Sequence, residues 1–301
     1  MPRKVEEYLK PEVIRQIKRL DLKARFIVEG FYAGLHASPF HGFSTDFSEH
    51  RKYVPGDEPR HIDWSVFAKT DRLFIKKYEA RTTLDCYLIL DSSGSMDFTS
   101  RPELPTKFEY CVYLAASLGY LVVHQQDSVG MVLAGQGVEK YLPPRSKRSH
   151  LTSILVELSK ARPRGQADLS KALNQVGALA GHKGLLVLFS DLLADPQAVE
   201  KSLFALKRRG HDLILFHVLD AAEADFPYRQ LAIFEDPETG HSVRVDAKGF
   251  REAYLDELER FRSSWARFAM ENNMDFVPLA TSMPFGKALV SFLASRQIRT
   301  V

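Results

Sequence analysis

From about Thr82 to the C-terminus, the chain alternates short apolar runs with longer stretches of helical period. Leu84 to Asp91, LDCYLILD, is nearly continuous in apolar residues, as expected of a parallel strand covered on both faces, and KFEYCVYLAASLGYLVVHQQ is long enough for a helix. DSVGMVLAG and VEKYLPP read as two short strands joined in a hairpin around Gln136 and Gly137. HLTSILVELSKA and DLSKALNQVGALAG read as helices and GLLVLFSD as a second buried strand. DPQAVEKSLFALKRRG reads as a helix with Asp195 as its N-cap and Pro196 at its first position. The strand DLILFHVL, a helix from about Lys248 to Asn272, the strand MDFVPLA and a helix from Pro284 complete the series. Strands and helices alternating through short connections predict an α/β fold, a Rossmann-like doubly wound and mostly parallel sheet.

Two segments stand outside this alternation. Residues Pro11 to Glu29 carry Val13, Ile14, Ile17, Leu20, Phe26 and Ile27 at the spacing of one amphipathic helix, which predicts an N-terminal extension that docks. LAIFEDPETGHSVRVDA holds two period-2 runs around ETGH, a β-hairpin insertion over about residues 227–247. The expected organisation is a helical and β extension, residues 1–80, packed on a main domain of residues 81–301.

Composition narrows the partners. A chain of 301 residues with 45% hydrophobic and 26% charged residues is globular and long enough for a large core. Forty-one Lys and Arg against 38 Asp and Glu give +3, too even a balance for non-specific nucleic-acid binding, so no nucleic-acid partner is expected. No segment approaches the roughly 18 to 20 apolar residues of a membrane span. The charged N-terminus has no apolar signal core, so a cytoplasmic protein is expected. Cys86 and Cys111 lie in apolar or helical patterns and read as buried thiols, not as a disulfide or a zinc site.

The candidate chemistry sits where the strands end. LILD at Asp91 and LLVLFSD at Asp191 bring two carboxylates to one sheet edge, and ligands of such sheets bind outside the carboxyl ends of the strands. After Asp91, Ser93 and Ser95 follow at i+2 and i+4, with Gly94 letting the backbone bend between them. Asp91, Ser93, Ser95 and Asp191 offer the oxygen ligands that a hard divalent cation such as Mg²⁺ or Mn²⁺ takes. An aspartyl phosphatase would need a second acid two residues after its nucleophile, where Ser93 stands. A G-x-x-x-x-G-K-[ST] phosphate loop, a G-x-S-x-G elbow and an H-E-x-x-H pair are all absent. The basic runs around Arg145, Lys147 and Arg148 and around Lys207, Arg208 and Arg209 read as surface charge, the latter complementing a helix dipole.

DSSGSM resembles the DxSxS element of the metal-ion-dependent adhesion site in von Willebrand factor A domains, and the strand order from about Leu84 resembles their fold. The resemblance implies a third-loop aspartate, which maps onto Asp191, and a second-loop threonine, whose place in Gly165-Gln166-Ala167-Asp168 is taken by Ala167. With no hydroxyl at Ala167, either water, Asp168 or Ser170 substitutes, or the metal is weak or absent. Upstream, Arg51, Tyr53, Gly56, Asp57, Arg60, Ile62, Asp63, Trp64 and Glu79 resemble the signature of the domain-of-unknown-function 58 family. Physically they read as a turn with a partly buried ionic cluster of Asp57, Arg60 and Asp63 beside Trp64, a structural lock more than a binding surface; RLFIKKYEA reads as an extra strand. The resemblance implies a non-enzymatic interaction module that binds an acidic residue of a partner through the metal, with a MoxR-class AAA+ ATPase as that partner. The alternatives are a metal-independent scaffold with a vestigial site, or a metal-dependent phosphatase-like hydrolase at the same edge.

Overall fold

The computed structural model describes residues 10–36, 50–52, 64, 67, 72–76 and 84–290, in two units: one of the residues up to 36 and from 84 onward, the other of those between 50 and 76. The larger unit starts with α1 (Pro11–Arg15) and α2 (Leu20–His36). The smaller unit contains β1 (His50–Lys52) antiparallel to β2 (Phe74–Lys76) in a two-stranded sheet, and the Trp64 ring edge-on to Phe67 at 6.0 Å. Arg51 thus lies in β1, opposite Ile75, while Tyr53, Gly56, Asp57, Arg60, Ile62, Asp63 and Glu79 lie outside the described residues.

The larger unit continues with β3 (Asp85–Asp91), a 3-10 turn (Gly94–Asp97), α3 (Lys107–His124), β4 (Ser128–Ala134), β5 (Val138–Arg145), α4 (Arg148–Lys160) and α5 (Leu169–Leu179). Then come β6 (Gly184–Ser190), α6 (Pro196–Arg208), β7 (Asp212–Leu219), α7 (Ala221–Asp225), β8 (Leu231–Glu235), β9 (Ser242–Asp246), α8 (Ala247–Glu271), β10 (Asp275–Ala280) and α9 (residues 285–290). Six strands form one sheet in the order β10-β7-β6-β3-β4-β5, parallel throughout except for the antiparallel edge strand β5. This is the doubly wound, mostly parallel α/β sheet that the alternation predicts.

Burial on both faces explains the apolar runs. One face packs Cys86, Leu88 and Leu90 against α1, α2, α3 and α4, and the other packs Tyr87 and Ile89 against α5, α6 and α8. α3 is buried nearly all round because it lies between the sheet and α2, which accounts for its nearly unbroken apolar sequence. A capping box starts it: Thr106 accepts from the Glu109 N–H, and Glu109 accepts from the Thr106 N–H. Asp195 caps α6 with Pro196 at its first turn, as its sequence predicts.

The N-terminal helix docks but is broken. The single helix expected over residues 11–29 is interrupted at residues 16–19, so α1 and α2 have independent phase. Ile14, Ala24, Ile27 and Val28 enter the core, while Phe26, expected on the buried stripe, is exposed. Cys86 and Cys111 are buried thiols that are not joined in a disulfide.

The strand order reverses at β3: the chain runs outward through β4 and β5, then returns to β6 on the other side of β3. The crevice at such a switch point is where a doubly wound sheet offers a binding site. Its register depends on close approach, since Gly184 opposes Asp85 and a β-carbon there would lie 2.4 Å from the Asp85 carbonyl oxygen. Gly184→Ala is therefore expected to lower the unfolding free energy in urea by roughly 1 to 3 kcal/mol; a midpoint equal to wild type would show that the strands separate at no cost.

Candidate functional site

The β3–β6 register pairs Leu90 with Phe189, so the next residues, Asp91 and Ser190, come side by side, and Asp191 follows one step beyond. Ser190 Oγ donates to Asp91 Oδ2 at 2.6 Å, and the Ser93 N–H donates to Asp91 Oδ1 at 2.9 Å. Ser95 Oγ donates to Asp191 Oδ2 at 2.7 Å and lies 3.0 Å from Ser93 Oγ. The structure therefore brings together Asp91, Ser93, Ser95 and Asp191, all buried. The Ser92 N–H bonds to the Ala134 carbonyl on the neighbouring strand, which fixes where the serine turn begins. Beyond Asp191 the chain turns sharply, with buried Leu192 in the left-handed region at φ 57° and the Leu193 N–H bonded to Asp191 Oδ1. A bulky residue held there is stored strain of the kind found at functional sites.

The two carboxylates differ in their charge balance. Asp91 is held by a hydroxyl and an amide, and among the described residues it has no ion-pair partner. Burial, reinforced by the charge of Asp191, pushes its carboxyl up to about 6, although its hydrogen bonds work the other way. Asp191 instead meets the fully buried ammonium of Lys107, the first residue of α3, at 2.8 Å; the same Nζ donates to Glu223 Oε1 at 2.8 Å. Burial alone would lower the lysine, but Asp191 and Glu223 outweigh it and hold the ammonium above its ordinary value. Burial pushes Glu223, which reaches the ammonium from α7, up even though Lys107 pulls it down. Glu223 Oε2 also accepts from the Asp220 N–H at 2.7 Å, and Asp220 caps α7, so the cap and the ion pair share one carboxylate.

Lys107, Glu223 and Ser190 were not singled out by the sequence patterns. Lys107 carried a signal nonetheless: a lysine in the first turn of a helix opposes the helix dipole, and this one stands in an apolar stretch, so it needed a buried anion. The two substitutes considered for the missing threonine are engaged elsewhere. The Asp168 carboxylate caps α5 by accepting from the Lys171 N–H, and the Ser170 hydroxyl lies 3.2 Å from Ser202 Oγ on α6. Neither hydrogen-bonds to the Asp91–Asp191 cluster, because the helix N-terminus and the α5–α6 contact claim them first. The loop itself does reach the serine turn, where the Gly94 N–H donates to the Gly165 carbonyl at 2.8 Å. Among the described residues no group of three or more His, Cys, Asp or Glu side chains is placed to hold a metal. A cation here would accordingly draw on the two aspartates, the serine hydroxyls and water.

His217 lies on β7 opposite Ser190 and is fully buried, its ring 5.6 Å from Phe261 and 5.7 Å from Phe276. Burial, with Arg262 nearby, lowers its imidazole to about 4.

A family model described as a protein of unknown function, DUF58, matches residues 49–264, well over half of the chain. The chain belongs to the DUF58 family. Over 292 residues this DUF58 chain is 25% identical to the uncharacterized protein Rv1480 of Mycobacterium tuberculosis, spanning 95% of its own length and 90% of that protein's. The same figures hold for the uncharacterized protein Mb1516 of Mycobacterium bovis. Among solved structures, BatB from Bacteroides thetaiotaomicron superposes with a TM-score of 0.47 at 17% identity, covering 71% of the DUF58 chain and 99% of BatB. The von Willebrand factor A domain of SpRpn10 gives a TM-score of 0.41 at 12% identity, over 69% and 94% of the two chains. Neither superposition bears on what the DUF58 chain does. No helix among its described residues is long and apolar enough to cross a membrane.

Two predictions follow from the buried charges of this DUF58 chain. Lys107→Met strands Asp191 and Glu223 without a cation and should cost about 3 to 5 kcal/mol in urea unfolding, most of it regained when Asp191→Asn and Glu223→Gln are added; a triple variant as unstable as Lys107→Met would refute the ion-pair account. His217 has a folded value near 4, below its ordinary 6.5. The unfolded chain therefore binds the extra proton first, and stability should fall as pH drops from about 6.5 towards 4. Thermal melts across that window should show a shallower acid-side loss in His217→Phe than in wild type, and equal slopes would place the titration elsewhere.

Proposed function

We propose that this DUF58 protein is a non-enzymatic interaction module whose binding point is the Asp91–Asp191 edge. Asp91 and Asp191, with the hydroxyls of Ser93 and Ser95, would hold Mg²⁺ or Mn²⁺, and the cation would take an acidic residue of a partner protein. The observation that carries this reading is Asp91, a buried carboxylate at the switch point, answered by neutral donors and surrounded by hard oxygen atoms. Such a donor set suits a small divalent cation that retains water ligands. The resemblance to von Willebrand factor A adhesion sites supports the acidic partner, and the DUF58 resemblance supports a MoxR-class AAA+ ATPase in that role, in protein maturation or complex assembly.

Lys107 favours a second reading. Its ammonium already neutralises Asp191, so the edge would serve as a scaffold that needs no metal, with Ala167 marking the ligand given up. One titration separates the two. Mg²⁺ or Mn²⁺ should raise the melting temperature of wild type and leave Asp91→Ala unmoved, Ala167→Thr should lower the concentration at half-effect, and chelator should abolish capture of the ATPase. A flat wild-type response with chelator-insensitive capture would establish the scaffold.

A further inference from the structure

The β8–β9 hairpin ends in the turn Asp236-Pro237-Glu238-Thr239-Gly240, which folds over the serine turn. A β-carbon on Gly94 would come within 3.3 Å of the Pro237 carbonyl oxygen and 3.2 Å of that of Gly165, so Gly94 is held between the hairpin tip and the α5 loop. Glu238 Oε1 stands 3.5 Å from the Ser95 amide nitrogen, next to the hydroxyl that bonds Asp191. Glu238 is half-buried, whereas its neighbours from Glu235 to Pro237 and from Thr239 to Arg244 are exposed. Burial raises its carboxyl, and the charge of Asp191 adds to the shift.

The tip is built to present this residue. Asp236 accepts from the Glu238 N–H at 2.8 Å and from Thr239 Oγ1 at 2.5 Å, its carbonyl accepts from the Gly240 N–H at 2.8 Å, and Gly240 takes φ +72°. Next to the tip, Phe234 of β8 stacks on Phe226 at 5.6 Å, Phe226 packs on Tyr254 at 4.6 Å, and Tyr254 OH donates to the Glu223 carbonyl. A glutamate drawn inward at the apex of a polar turn, against a negatively charged edge, is costly unless that edge is made to receive a carboxylate.

We propose that Glu238 is the edge's own internal ligand: it occupies the place of the partner's acidic side chain, and the partner element that displaces it is a glutamate or aspartate carried at the apex of a tight turn. This deepens the proposed function and rests on the edge being the binding point, but not on the metal. The tethered tip should exclude a free peptide through its high effective concentration.

The test uses a cyclised, fluorescein-labelled peptide of residues 231–246, LAIFEDPETGHSVRVD, titrated into the full chain as wild type, Glu238→Gln and Glu238→Ala, with Mn²⁺ or with EDTA. Both variants should bind the peptide about tenfold or more tightly than wild type, and a peptide carrying Glu238→Gln should lose that binding. Equal or undetectable binding by wild type and variants, or no loss with the substituted peptide, overturns the proposal. Binding that survives EDTA supports the internal ligand while sinking the metal reading. The converse, an Mn²⁺-induced melting shift in wild type without peptide discrimination, keeps the metal and rejects Glu238. Melting curves of the two variants confirm that each is folded.

Discussion

The edge is organised around one buried ammonium. Lys107 opens α3 with no exposed surface, and two carboxylates from different parts of the chain converge on it: Asp191 after β6 and Glu223 on α7. A lysine at a helix N-terminus faces the positive end of the dipole, and here two anions offset that repulsion. Such a bridge fixes geometry more than it adds stability, because desolvating three charges consumes most of their attraction. What it fixes here is the direction of Asp191. With one oxygen shared by Lys107 and Ser95, that carboxylate cannot swing away from the serine turn.

The sheet supplies the rest of the alignment. Parallel strands deliver their C-terminal ends to the same side, and the reversal of order at β3 puts the sheet's switch point between β3 and β6. The register then makes Asp91 and Ser190 neighbours, so the first carboxylate is held by the adjacent strand and the second by the helix that covers the sheet. The two aspartates look alike as strand-end residues, yet one is bound to neutral groups and the other to a cation. Asp91 is thus the member of the pair that no cation answers among the described residues.

How much of this was legible follows from the range of each interaction. Strand-end aspartates and the Asp195 cap are visible because an apolar run and the residue that ends it are contiguous, and the hairpin around ETGH is visible from its period. The break between α1 and α2 is not, since the apolar spacing alone continues across it. Lys107 finds Asp191 across 84 residues and Glu223 across 116, distances at which no local pattern specifies a partner. Asp168 shows a different limit: an aspartate before a helix satisfies a ligand motif and an N-cap equally well in sequence, and the Lys171 amide decided for the cap. Glu238 was legible as a turn residue, but its place over Ser95 depends on long-range packing of Phe234 on Phe226 and of Phe226 on Tyr254 of α8.

Charge bookkeeping ties these parts together. Asp220 is answered by the N-terminus of α7, and Asp191 and Glu223 share Lys107, so within that triad two carboxylates face one ammonium, −2 + 1. Asp91 adds another negative charge above pH of about 6, giving the edge two more anions than cations before Glu238 approaches. Protons or a cation would relieve that excess, and the approach of Glu238 adds to it. The residue that joins α7 to this ammonium is also held from α8, since Tyr254, which packs on Phe226, donates to the backbone carbonyl of Glu223. Phe234 next to the hairpin tip, Phe226, Tyr254 of α8 and Glu223 of α7 therefore form one connected set of contacts that ends at Lys107 and α3.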